Sequence, residues 1–129
     1  MKILGKFPST RLRRVRNSDW VRRLISENNL SADDLILPIF LTEGKNKKEK
    51  IKTMPGIYRY SLDKLSSILD EAEKFKIPMI ALFPNTSNHQ RDHNGSDALN
   101  ENNLVCRAIK FIKKKYNKFG VMTDVALDP

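Results

Sequence analysis

The side chains of this chain whose types and spacing could do chemistry fall in four places. The stretch Val121-Met122-Thr123-Asp124-Val125-Ala126-Leu127-Asp128-Pro129 reads as a buried strand that ends in acidic side chains. Carboxylates on a strand terminus, laid down after strand–helix units, are how the floor of an α/β-barrel pocket begins. His89 and His93 have the H-x3-H spacing that on a helix would set two imidazoles on one face as zinc ligands. They stand instead in Asn88-His89-Gln90-Arg91-Asp92-His93-Asn94-Gly95, a polar loop with no third ligand in view, which is the pattern of a solvated connection. Cys106 lies beside an apolar helical stripe and reads as core rather than nucleophile. As the single cysteine it excludes an internal disulfide and any all-cysteine metal site, and a reducing cytoplasm is the simplest compartment. The fourth place is basic. Residues 1–23 hold eight cations (Lys2, Lys6, Arg11, Arg13, Arg14, Arg16, Arg22, Arg23) against one acid, Asp19. Arginine suits planar, bidentate partners, which here are nucleic-acid phosphates or the carboxylates of another subunit.

The elements that must position these groups follow from the apolar pattern. Residues 1–17 have no periodicity and read as an extended arm; Trp20, Leu24 and Ile25 predict a short helix over about 19–28, capped from Asn17-Ser18-Asp19. Leu35 to Leu41 is apolar at every position except Pro38, which suits a strand covered on both faces and implies a bulge or an open side at the proline. A lysine-rich loop over 45–53 leads to the turn Met54-Pro55-Gly56. Ser61 is placed to cap a helix with the stripe Leu62, Leu65, Ile68, Leu69, Ala72, Phe75. Met79 to Pro84 is a second apolar strand, and 100–118 predicts a second helix on Leu104, Ala108, Ile112 and Tyr116, ended by Gly120. The alternation strand, helix, strand, helix, strand means a parallel sheet; eight such units make a (β/α)8 barrel of about 250 residues, and a smaller doubly wound sheet is the alternative. The first strand leads into Glu43-Gly44-Lys45-Asn46-Lys47, which is neither G-x-G-x-x-G nor a P-loop. No apolar run approaches the roughly 20 residues of a membrane span. The net charge of +9 keeps a small basic nucleic-acid-binding domain open, although the aromatics lack the basic–aromatic interleaving of a single-strand surface.

Taken together, several segments resemble the porphobilinogen synthase (5-aminolevulinate dehydratase) family, bacterial type. The arm Pro8-Ser9-Thr10-Arg11-Leu12-Arg13-Arg14-Val15-Arg16 looks like that family's arginine-rich arm, and Leu30 to Phe40 like the approach to its first barrel strand. Met54-Pro55-Gly56-Ile57-Tyr58-Arg59 matches its MPG-x-YR loop. Ile77 to Pro84 and Thr123 to Pro129 match its second and third strands, in the same order and spacing. The resemblance implies α/β architecture: an arm and short helix over 1–34, then over 35–129 the first three β/α units of a TIM barrel, about three of eight strands. It also implies that these residues are the opening third of a larger enzyme. That enzyme joins two 5-aminolevulinate molecules into porphobilinogen, releasing water, for haem and other tetrapyrroles.

The family's two Schiff-base lysines, which need a depressed pKa to be free amines, lie on later strands, and its substrate-carboxylate ligands are likewise expected beyond Pro129. The 129-residue chain alone is therefore expected to be inactive, and with an open sheet edge to fold poorly. Asp124 matches the acid at the family's pocket floor, where an ionised carboxylate supports proton transfer or holds an ammonium group; as a plain structural residue it would cap the strand end. Zinc-dependent members carry cysteines where this chain has Ala126 and Asp128. Alanine has no donor and a carboxylate is a hard ligand, so a cysteine zinc site is not expected, magnesium is, and Asp128 is its candidate ligand. In the family the arm reaches around a neighbouring subunit in an octamer, which makes a homo-oligomer the expected partner and nucleic acid the disfavoured one. A non-catalytic fragment that binds full-length subunits through the arm is the other alternative.

Overall fold

The computed structural model describes residues 5–11, 13–86 and 91–125. The chain forms two compact units, Met1–Leu30 and Ser31–Pro129.

In the first unit a single turn of 3-10 helix, Arg14–Arg16, precedes α1, Asp19–Leu24. The helix is shorter than the spacing of Trp20, Leu24 and Ile25 predicts. Ser18 stands at its N-cap without a side-chain bond, and Ile25 already leaves the helical backbone. Arg22 and Arg23 both pair with Asp19, one turn back. Trp20 and Leu24 are exposed.

The second unit is built on a five-stranded sheet in the order β2-β3-β1-β4-β5. It opens on a capping box, in which the Ser31 hydroxyl accepts the Asp33 amide and the Asp34 carboxylate accepts the Ser31 amide. Then follow β1 (Ile36–Thr42), β2 (Lys48–Lys50), β3 (Tyr58–Tyr60), α2 (Leu65–Lys74), β4 (Met79–Asn85), α3 (Leu104–Lys115) and β5 (Gly120–Thr123). The strands β1, β4 and β5 pair in parallel in sequence order, with Ile36 opposite Met79 and Met79 opposite Gly120. Each crossover is a helix, as parallel pairing requires.

The two helices cover one face of the sheet only, as two helices must when the all-apolar strands call for cover on both. Alternate residues Ile39 and Leu41 of β1 and Ile80 and Leu82 of β4 are buried with Leu65 and Leu69 of α2 and Ala108 and Ile112 of α3. The opposite face carries the stacked rings of Phe40 and Phe83, 5.6 Å apart, and Met122, with Phe83 still 40 % exposed and Met122 43 %. Period-2 alternation sends half of every strand to that face whatever its composition. At Pro38 the strand has an open side: pairing with β3 begins only at Phe40.

Two sequence expectations are corrected between Lys45 and Ser61. The lysine-rich stretch is not all loop, because Lys48–Lys50 and Tyr58–Tyr60 form an antiparallel hairpin with Glu49 opposite Arg59. Lys48 Nζ lies 4.7 Å from the Tyr58 ring centroid and 5.6 Å from that of Tyr60. The edge strand is thus fully charged and exposed, which discourages pairing with another chain. Ser61, fully buried, does not cap by its side chain; its hydroxyl accepts the Lys47 amide at 2.9 Å and donates to the Lys47 carbonyl at 3.2 Å, tying the loop before β2 to the start of α2. Gly120 is likewise not a helix cap. The helix ends at Lys115, Tyr116 turns the chain, and Gly120 opens β5, where an added Cβ would stand 3.0 Å from Met79 Cε.

The two helices are tied by Tyr116, whose hydroxyl donates to Asp70 Oδ1 at 2.5 Å. Tyr116→Phe should lower stability by about 1–2 kcal/mol, since it leaves a part-buried carboxylate oxygen without its donor. Urea unfolding checks this, and an unchanged midpoint would mean that the bond contributes nothing.

Candidate functional site

The cleft of the second unit lies where the three parallel strands end. The C-terminal residues of β4 (Phe83 to Asn85) meet Thr123 and Asp124 at the end of β5 and the first turn of α3, around a volume of about 500 Å3. Open α/β sheets and (β/α)8 barrels alike bind ligands at this end, because the connections there are free to vary while the strands hold still.

Each wall has a local cause. Asn103 caps α3, its Oδ1 accepting the Cys106 amide at 2.8 Å while its Nδ2 donates to the Asp97 carbonyl at 3.2 Å. One side chain therefore sets both the start of the helix and the loop before it. Asp92 folds that loop: its Oδ1 accepts the Ser96 amide at 2.9 Å and the Asn94 amide at 3.0 Å. Behind the cleft Glu43, which follows β1, pairs with Arg107 on α3, joining two rim segments across β4. Arg107 Nε is buried and has no partner among the described residues.

The bonds from Ser96, first its backbone amide and then its hydroxyl, hold the Asp92 carboxyl below the usual 3.8. A folded-state pKa below the unfolded one means the turn is stabilised above the ordinary carboxylate pKa and loses that support as pH falls through the lowered value. The amide shifts of Asn94 and Ser96, followed by NMR against pH, should therefore titrate with a midpoint below 3.8. A midpoint at or above that value would show that these bonds do not favour the ionised form.

Of the residues singled out by sequence, Asp124 is in the cleft, exposed, and makes no hydrogen bond with the described residues. Cys106 lines the same cleft, half-buried, so it is less of a core residue than its stripe implies. His93 is exposed in the loop. Asp128, Ala126 and His89 lie outside the described residues. Reasoning from sequence missed Arg91, Asp97 and Asn103, which also line the cleft. Asn103 alone carried a readable signal, as a capping residue directly before the apolar pair Leu104-Val105. Among the described residues no three His, Cys, Asp or Glu side chains come together, so these residues by themselves do not make a metal centre. No lysine lines the cleft among them either. Among them, too, no helix is long and apolar enough to cross a membrane.

Comparison with known proteins adds the rest. The family model described as delta-aminolevulinic acid dehydratase matches residues 9–129. A delta-aminolevulinic acid dehydratase of Bradyrhizobium diazoefficiens is 51 % identical over 119 residues, covering 92 % of this chain and 34 % of that protein. One from Methanothermus sociabilis is 42 % identical over 125 residues, covering 95 % and 37 %. Among solved structures, delta-aminolevulinic acid dehydratase (porphobilinogen synthase) of Toxoplasma gondii, in complex with the reaction product porphobilinogen, superposes with a TM-score of 0.81. It is 29 % identical, and the match covers 92 % of this chain and 34 % of that one. The chain thus spans about a third of the length of these relatives. What it shares with the solved structure is part of a TIM barrel: parallel strands with helices on the outer face.

Proposed function

We propose, since the chain belongs to the delta-aminolevulinic acid dehydratase family, that it supplies the arm and first barrel strands of an enzyme that condenses two 5-aminolevulinate molecules into porphobilinogen with loss of water. The observation that carries this is the cleft at the C-terminal ends of β4 and β5 with Asp124 in its wall. An exposed carboxylate with no bond to the described residues is free to accept a proton or to hold a substrate ammonium group. The ring-forming chemistry needs amines that attack the substrate ketones, and no lysine among the described residues lines this cleft. Those lysines are then contributed by strands other than β1, β4 and β5, and the 129-residue chain by itself is inactive.

The same reading carries three finer proposals. The basic segment 11–16 meets carboxylates of a neighbouring subunit in a homo-octamer. Magnesium, not zinc, is the cation, since Ala126 offers no donor and Asp128 a hard oxygen; no step of the reaction is drawn through it. The compartment is the cytoplasm, which suits a chain with one free thiol.

The test is porphobilinogen formation from 5-aminolevulinate, assayed for the 129-residue chain and for a polypeptide in which this sequence is continued to the length of its relatives. Activity in the long form alone is expected. Activity in neither, with both folded and magnesium supplied, would overturn the reading.

A further inference from the structure

The loop before α3 holds the only Asn-Gly pair of the chain, Asn94-Gly95. Before a glycine, the carboxamide of an asparagine is most easily reached by the next backbone nitrogen, because no Cβ stands in the way of the five-membered ring. Asn94 is exposed in a turn, whereas Gly95 is buried and has a φ of 62°. A buried nitrogen is shielded from hydroxide, so a base that draws off its proton has to come from the protein. Asp92 is the group at hand. Its Oδ1 accepts the Ser96 amide at 2.9 Å and the Asn94 amide at 3.0 Å, the residues on either side of Gly95. The Ser96 amide and hydroxyl do most to favour the ionised Asp92 carboxyl, and the Asn94 and Gly95 amides add to it. The Gly95 amide also donates to the Asp92 carbonyl, but at 3.3 Å that bond is past the ordinary range and holds the proton loosely.

We infer that Asn94-Gly95 is a site of self-modification, in which the Asp92 carboxylate is the general base for attack of the Gly95 nitrogen on Cγ of Asn94. The bond from that nitrogen to Cγ forms and the bond from Cγ to the side-chain nitrogen breaks. Ammonia leaves with the proton that Asp92 has taken from the Gly95 nitrogen. Water then opens the resulting succinimide at either carbonyl, which leaves aspartate or isoaspartate at position 94. Isoaspartate puts a methylene into the backbone of the loop that brings Asp97 to the cleft. The site stands on residues 92–96 and does not rest on the proposed activity.

Peptide mass spectrometry, with the two products separated by chromatography, follows the loss of Asn94 in the full chain at neutral pH and in the same chain unfolded in urea. In the folded chain Asn94 is expected to react faster than Asn17, which precedes a serine. Asp92→Asn is the deciding variant, since asparagine keeps an acceptor oxygen for both amides but takes no proton. The amide resonance of Ser96 shows whether the turn is kept. The variant should slow the folded reaction about tenfold or more. In urea it should change the rate by less than about twofold, because the unfolded chain no longer holds residue 92 against Gly95. Gly95→Ala should slow the reaction in both states. Equal folded rates with and without Asp92→Asn would overturn the inference. A faster rate in that variant would do the same, by showing that the turn protects Asn94, and so would a folded chain in which Asn94 reacts no faster than Asn17.

Discussion

On the proposed function, replacing Asp124 by asparagine in a polypeptide continued to the length of the relatives is expected to lower kcat by about 10²–10⁴, with a much smaller change in KM. Asparagine keeps the size and the hydrogen-bonding reach of the side chain but can neither take a proton nor balance an ammonium charge. The structural alternative is that the carboxylate caps the end of β5. That makes a different prediction, because asparagine is as good a cap as aspartate and activity would survive. Asp124 lies exposed in the cleft wall, where a group that meets substrate has to stand. The decisive readout is the split between kcat and stability. A large fall in kcat at an unchanged melting temperature identifies a group used in the reaction. Loss of both together identifies a structural residue, and full activity removes Asp124 from the mechanism.

The parallel order of β1, β4 and β5 was legible in the sequence because burial on one face and a barrel interior on the other leave those strands apolar at almost every position. The stripes of α2 and α3 were legible for the same reason, and Leu65, Leu69, Ala108 and Ile112 are buried as their spacing predicts. What escaped was short or was decided by tertiary contact. Lys48-Glu49-Lys50 has no apolar alternation at all; it is a strand because Tyr58–Tyr60 offers it backbone partners and two rings to Lys48. Ser61 is a capping residue by type, yet Lys47 takes both bonding capacities of its hydroxyl. Gly120 looked like a helix end because Tyr116 continues the apolar stripe; Tyr116 reaches the core from beyond the helix, and the glycine is needed instead beside Met79. In the site, Asp124 could be found from the end of its strand. Arg91 and Asp97 could not, since the turn built on Asp92 is what carries them to the cleft.

The second large effect concerns the sheet itself. Leu69→Ala should cost about 2–5 kcal/mol, because Leu69 is fully enclosed between α2 and the sheet and its truncation leaves a cavity that packed neighbours cannot fill. Against a total stability of about 5–15 kcal/mol for an ordinary domain, that is a large share, and urea or thermal unfolding would show it. Phe75→Ala, at the C-cap of the same helix and 58 % exposed, is the control and should cost far less. Equal losses at the two positions would mean that α2 does not lie on the sheet as described. The opposite face extends the test to the barrel. Phe83 stacks on Phe40 and is 40 % exposed in the 129-residue chain, so Phe83→Ala there should cost well under the buried value. In the full-length protein a closed barrel would enclose the same ring, and the substitution should then cost about 3–5 kcal/mol. The difference between the two lengths measures the closing of the barrel over that face. A Phe83→Ala penalty that does not grow with chain length would mean that a closed barrel does not form over that face.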